Sequence, residues 1–166
     1  GINLEEPGIN ESIKAAMGWP SAVSMLMYQV AKNKTPVDFE KIAVSQNDPL
    51  RSLAISVMEG LDASERSIIT ALASLQEFNH EQAEVILREE YSYDQINRLA
   101  LDGNFFSQTG SPEQTFEFSK LMREILVADL RLDAAKKKRI HSALLAYHEE
   151  RNEPSFALEH AYLCEN

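Results

Sequence analysis

The chain has 166 residues, 44% of them apolar, which is enough for one domain or two small ones with a buried core. Its 16 basic and 26 acidic residues give a net charge of −10, which excludes nucleic-acid binding unless basic residues concentrate on one face. There is no apolar run of the roughly 20 residues that a membrane span needs and no signal-peptide pattern, and the single cysteine, Cys164, excludes an internal disulfide, so a cytoplasmic location is predicted.

The first part of the chain, residues 1–47, is predicted to be a helical segment. Asn10 caps a short helix that ends at Gly18, and Pro20 begins a second helix that runs to about residue 32. A polar connection with about one helical turn follows.

Residues 48–131 are predicted to form a connector helix and a winged helix. Asp48 caps the connector, and Pro49 is its first residue. Two extended runs, 104–107 and 114–118, flank a Thr-Gly-Ser-Pro turn and predict a two-stranded β-hairpin. Three short helices precede this hairpin: the first covers 64–75, and Asn79 and Ser92 cap the second and the third. Three helices followed by a hairpin is the order of a winged helix.

Residues 132–166 are predicted to form a helical hairpin, after a helix that Ser119 caps. Its two helices cover about 133–150 and 155–164, with small residues at the seam, a pattern typical of one unit of a TPR-like solenoid. One unit cannot cover its own apolar face, so the chain is expected to continue into further repeats. The predicted fold class is therefore mainly α.

No catalytic site is predicted. Gly-x-x-x-x-Gly-Lys-Ser/Thr, Gly-x-Gly-x-x-Gly and Gly-x-Ser-x-Gly are all absent from the sequence. Carboxylates such as Glu81 and Glu84 lie on short helices and are interpreted as solubilising charge. We expect that the chain is not an enzyme and binds no cofactor by itself.

The candidate metal ligands lie near the C terminus. His160 and Cys164 are four residues apart, and His141 and His148 are seven apart. Imidazole and thiolate groups bind zinc, but such sites usually have closer pairs. We therefore predict no metal site and interpret the histidines as surface residues.

The winged helix is not predicted to bind DNA. Residues 64–130 contain five basic and twelve acidic residues, a net charge of −7. Its third helix offers Arg98 beside Asp94, whereas groove reading usually needs several cationic contacts to phosphate. The phenylalanines of the two extended runs are interpreted as the core of the hairpin.

Three stretches resemble the MalT-type activators, regulatory ATPases of the STAND class with a LuxR-type DNA-binding domain. Residues 17–22 are similar to the family's Gly-Trp-Pro-Ala-Ala segment after the ATPase core. Residues 116–126 are similar to its wing strand and following helix. Residues 140–147 with 157–161 are similar to its first helical-repeat hairpin.

The resemblance implies a segment from the middle of a transcriptional regulator. In that family ATP or ADP lies between the ATPase core and the following domains, close to the glycine-x-proline segment, and a winged-helix histidine reaches the phosphates of ADP. The matching positions here are Gly18, Trp19, Pro20 and Ser119, and Ser119 replaces the family's histidine. The implied partners are other domains of the same chain, the ATPase core and the helical repeats, with self-association as a further option.

Two functions are carried forward from the sequence. The first is a module that holds the off state and relays the nucleotide or inducer state by domain movement. The alternative is a stand-alone protein-interaction adaptor that uses its winged-helix and helical-repeat surfaces. An enzyme with an unrecognised site ranks third.

Overall fold

The computed structural model describes residues 20–33, 45, 48–109, 114–130 and 134–165. This part of the chain contains eight α-helices: α1 (Pro20–Asn33), α2 (Pro49–Glu59), α3 (Ala63–Leu72), α4 (His80–Leu87), α5 (Tyr93–Asp102), α6 (Lys120–Leu130), α7 (Ala134–Glu150) and α8 (Pro154–Glu165). The strands are β1 (Glu77–Phe78), β2 (Phe106–Gln108) and β3 (Phe116–Phe118), and a 3₁₀ turn covers Arg88–Glu90. The short helix predicted before Gly18 and the helical turn predicted in the connection lie outside the described residues.

Side-chain caps fix the starts of three helices where the sequence predicts them. The carboxylate of Asp48 accepts a hydrogen bond from the backbone N–H of Leu50 at 2.8 Å, at the start of α2. Asn79 and Gln82 form a reciprocal capping box at the start of α4, with bonds of 3.0 and 2.9 Å. The Ser92 hydroxyl accepts a bond at the start of α5. Each cap satisfies backbone donors that the first turn of a helix leaves free.

Helix α3 differs from the prediction at both ends. It begins at Ala63 because Asp62 and Glu65 form a capping box ahead of it. It ends at Leu72 rather than at Leu75 because the chain turns there toward β1.

The sheet has three strands rather than the predicted two. Its order is β1-β3-β2, and both pairings are antiparallel. In the extra pairing, Phe78 lies opposite Phe116 and Glu77 opposite Glu117. The predicted hairpin is confirmed by the pairing of β2 with β3. Strand β1 was not predicted because it has only two residues, too few to carry the alternation by which a strand is recognised. The order α3-β1-α4-α5-β2-β3 is that of a winged helix.

Four phenylalanines hold the three strands together from one face. Phe78 contacts Phe106 edge to face at 5.1 Å and Phe116 in a stacked arrangement at 5.3 Å, measured between ring centroids. Phe118 completes the group at 5.3 Å from Phe106. All four side chains are buried. Because aromatic side chains bury large areas, this cluster is the centre of the core.

The core continues from the winged helix into the neighbouring helices. Leu26 of α1, Leu50 of α2 and Leu121 of α6 belong to the same cluster of buried residues, as do Ile140 and Leu144 of α7. The mainly α fold with a winged helix is therefore confirmed. Helices α7 and α8 form the predicted hairpin, whereas further TPR-like repeats and the divisions at 47/48 and 131/132 remain predictions. Within the described part of the chain, no helix is both long and apolar enough to cross a membrane.

Replacing Phe116 with alanine is expected to lower the free energy of unfolding by about 3–5 kcal/mol, because it opens a cavity between all three strands. The matched control is Phe156→Ala on α8, whose side chain is 55% exposed. This control should cost about 1 kcal/mol or less. Urea denaturation followed by circular dichroism measures both, and equal losses would contradict the central role of the cluster.

Candidate functional site

The sequence-predicted site residues fall into two groups. Gly18 and Trp19 lie outside the described residues, and Pro20 is the first residue of α1, as predicted. Ser119 is 5% exposed, immediately before α6. Its backbone N–H donates to the Phe105 carbonyl at 2.8 Å, and its hydroxyl accepts a long bond of 3.5 Å from the Met122 N–H. Ser119 is therefore placed as a buried cap, and its proximity to a nucleotide stays a prediction.

Helix α5 occupies the position of the groove-reading helix in DNA-binding winged helices. Its arginine, Arg98, forms an ion pair with Glu65 of α3 at 2.5 Å. The Tyr93 hydroxyl donates to the side chain of Gln114 at 3.2 Å, and Asn97 donates to the Tyr93 carbonyl at 3.0 Å. The polar groups of this helix are thus largely engaged within the protein.

A polar contact joins the winged helix to the helical hairpin. The Glu81 carboxylate on α4 accepts a hydrogen bond from the Tyr147 hydroxyl of α7 at 2.8 Å and pairs with the guanidinium of Arg151. That guanidinium also lies 4.5 Å from the centre of the Tyr147 ring. Burial and the bond to Glu81 raise the pKa of Tyr147. The interpretation of Glu81 as mere solubilising charge was therefore wrong.

Three histidines form a stack in the seam between α7 and α8. The rings of His141 and His148 each lie 5.3 Å from the ring of His160, in nearly parallel planes. The Nδ1 atoms of His141 and His160 are 3.2 Å apart, so one ring donates and the other accepts. His148 Nδ1 pairs with Glu153 at 2.7 Å, and its Nε2 lies 3.5 Å from the Gln82 amide nitrogen.

All three histidines of this stack are buried, so their interpretation as surface residues was wrong. The sequence analysis noted that His141 and His148 are seven residues apart, but it did not take this spacing as a sign that both lie on one buried face of a helix. In the described residues, no group of three or more His, Cys, Asp or Glu side chains is arranged to hold a metal ion.

Burial keeps the histidine pair neutral. It lowers the pKa of His141 to about 4, with further contributions from His160 and from the positive charge of Lys137. The pKa of His160 is also lowered, by burial and by His148. A neutral pair can share one proton in the Nδ1–Nδ1 bond, whereas two protonated rings would repel each other.

Comparison with known proteins identifies one family. The family model of the MalT winged helix domain matches residues 54–139, slightly more than half of the chain. The match starts within α2, covers the sheet and α6, and ends within α7. No curated protein matches the chain.

Stability should fall as the pH drops from 7 to 5. The unfolded chain takes up protons near the ordinary histidine pKa of 6.5, whereas folded His141 stays neutral to about 4, so the unfolded state binds more protons in this window. We expect a loss of roughly 2 kcal/mol from His141 alone. Urea denaturation across this range measures it. His141→Gln/His160→Gln should flatten the profile, and an unchanged slope in that variant would contradict the assignment.

Proposed function

Because the chain belongs to the MalT winged helix domain family, we propose that it is the regulatory middle of a signal-responsive, ATP-binding transcriptional regulator of the LuxR and STAND type. In this proposal the segment performs no catalysis, and ATP or ADP is held mainly by an ATPase core elsewhere in the same cytoplasmic protein. The segment holds the off state and relays the nucleotide or inducer state to the output domain. Its partners are the ATPase core and the helical repeats.

The observation that carries this proposal is the internal engagement of helix α5. Its Arg98 is paired with Glu65, and residues 64–130 have a net charge of −7. Binding to DNA phosphates depends on free cationic side chains. With five basic against twelve acidic residues, this winged helix is better suited to packing against other domains than to reading a groove.

The contact between the winged helix and the helical hairpin supports domain movement as the way in which the signal is relayed. Glu81, Tyr147 and Arg151 meet there through polar groups, two of which are substantially exposed. Polar contacts of this kind can be replaced by water more readily than the apolar contacts that Ile140 and Leu144 of α7 make in the shared core. A rigid-body shift can exchange such contacts for water at small cost.

The adaptor alternative rests on exposed apolar side chains of α8. Leu158 and Tyr162, four residues apart on one face, are 73% and 67% exposed. Exposed apolar side chains on one helix are typical of a surface that another element covers. The length of the gene separates the two functions, since only a regulator would encode a phosphate-binding loop upstream and a helix-turn-helix downstream.

We expect the chain to bind duplex DNA more weakly than about 100 μM at physiological salt, because its winged helix repels phosphate. Fluorescence anisotropy with labelled duplexes measures this. Arg98→Ala should behave like the parent chain. Micromolar binding that weakens with salt and disappears in Arg98→Ala would contradict a packing role for α5.

In the full-length regulator, Glu81→Ala is expected to raise transcription without inducer about fivefold, because it removes a contact that holds the hairpin against the winged helix. A reporter gene measures the basal level. The control is Glu84→Ala, an exposed carboxylate on the same helix. Before the reporter assay, thermal denaturation should show that the two variants are equally stable. An unchanged basal level in Glu81→Ala would count against relay through this junction.

A further inference from the structure

A cavity of about 770 Å³ lies between the winged helix and the helical hairpin. The sheet side contributes Phe78, Asn79 and Thr115, α6 contributes Arg123, and α7 and α8 contribute Lys137 and the histidine stack. Small-molecule sites in proteins commonly have volumes of roughly 300–1,000 Å³. The cavity is therefore large enough for a metabolite and is bordered by both units of the structure.

The guanidinium of Arg123 is incompletely satisfied in this cavity. Its Nε atom is buried, and no described residue provides it with a hydrogen-bond acceptor. Its Nη1 atom reaches only the neighbouring Glu124, at 3.4 Å, the long end of the range. A buried N–H without a partner is costly, and an oxyanion from outside the protein would satisfy it.

Lys137 brings a second positive charge to the same cavity. Lys137 is partly buried and lines the cavity together with His141 and His160. The lining also contains two carboxylates, Glu77 and Glu159, which belong to exposed residues, whereas Arg123 and Lys137 are partly buried.

The remaining lining offers contacts for an organic group. The ring of Phe156 stacks on His148 with 5.3 Å between centroids and is half exposed. Asn79 and Gln82 also line the cavity, with their side-chain oxygens engaged in the cap of α4. Arginine favours planar, two-point pairing with carboxylate or phosphate, and lysine binds such groups as a point charge.

We propose that this cavity is a binding site for a small organic oxyanion, a molecule whose phosphate or carboxylate group pairs with Arg123 and Lys137. The proposal goes beyond the regulatory function and does not depend on it. Occupancy would link α6 to α7 through one ligand and would draw the winged helix and the hairpin together.

The test is a titration of the 166-residue chain with sodium phosphate and, separately, with sodium succinate at constant ionic strength. Side-chain NMR resonances of His160 and Phe156 report on the cavity, and those of Leu145, which does not line it, serve as the reference. We expect saturable shifts at the first two with at least one of the anions. The anion that binds identifies the group that the site prefers.

The matched variants remove the same charge from two places. Arg123→Gln/Lys137→Gln changes the cavity, whereas Lys138→Gln/Arg139→Gln changes two exposed residues of α7. Binding should weaken about tenfold or more in the first pair and less than about twofold in the second.

Three outcomes would overturn the proposal: saturable binding of neither anion, shifts that grow linearly up to high concentration, or equal weakening in both pairs of variants. If the double variant Arg123→Gln/Lys137→Gln does not fold, the single variant Arg123→Lys is used instead. This substitution keeps the positive charge but removes the planar guanidinium that can donate two parallel hydrogen bonds. It should then weaken binding several-fold, and unchanged binding would equally overturn the proposal.

Discussion

Packing of the Phe78 ring against Phe106, Phe116 and Phe118 is the interaction on which the rest of the structure depends. The three strands have two or three residues each, and ladders of that length have too few hydrogen bonds to persist alone. The rings, separated by up to 40 positions in sequence, hold the ends of the winged helix together. Because β1 follows α3 and β3 precedes α6, fixing the sheet also fixes where those two helices lie.

Backbone hydrogen bonds of the sheet also fix the position at which α6 begins. The Phe118 N–H donates to the Gln76 carbonyl at 2.9 Å, and the Ser119 N–H donates to the Phe105 carbonyl at 2.8 Å. Leu121 and Met122 then enter the same core in the first turn of α6. The winged helix and α6 are thereby one closely packed body, while the hairpin adds both apolar contacts through α7 and the polar contact at Glu81. The exposed polar contact at Glu81 costs less to break than the apolar contacts, which tie α7 to the shared core.

Features with a local cause could be predicted from the sequence. The caps at Asp48, Asn79 and Ser92 act over three residues, so the pattern located them. Strand β1 escaped prediction because its pairing with β3 spans about forty residues. The burial of His141 and His160 was not predicted either, because it also depends on long-range packing. Spacing in the sequence shows which residues share a helix face, but not what covers that face. The family could be suspected from short motifs, whereas the cavity at Arg123 depends on three elements that no local pattern connects.

The histidine stack also constrains how α7 and α8 can lie against each other. Buried imidazoles cost free energy unless their nitrogens find partners. The bond between His141 and His160 depends on the register of α7 against α8, whereas His148 is held by Glu153 in the connection and by Gln82 on α4. A slip of one turn would leave the Nδ1 atoms of His141 and His160 buried without partners, whereas a seam of alanine and leucine would tolerate several registers. The bond between His141 and His160 therefore favours one alignment of α7 against α8, at some cost in packing energy.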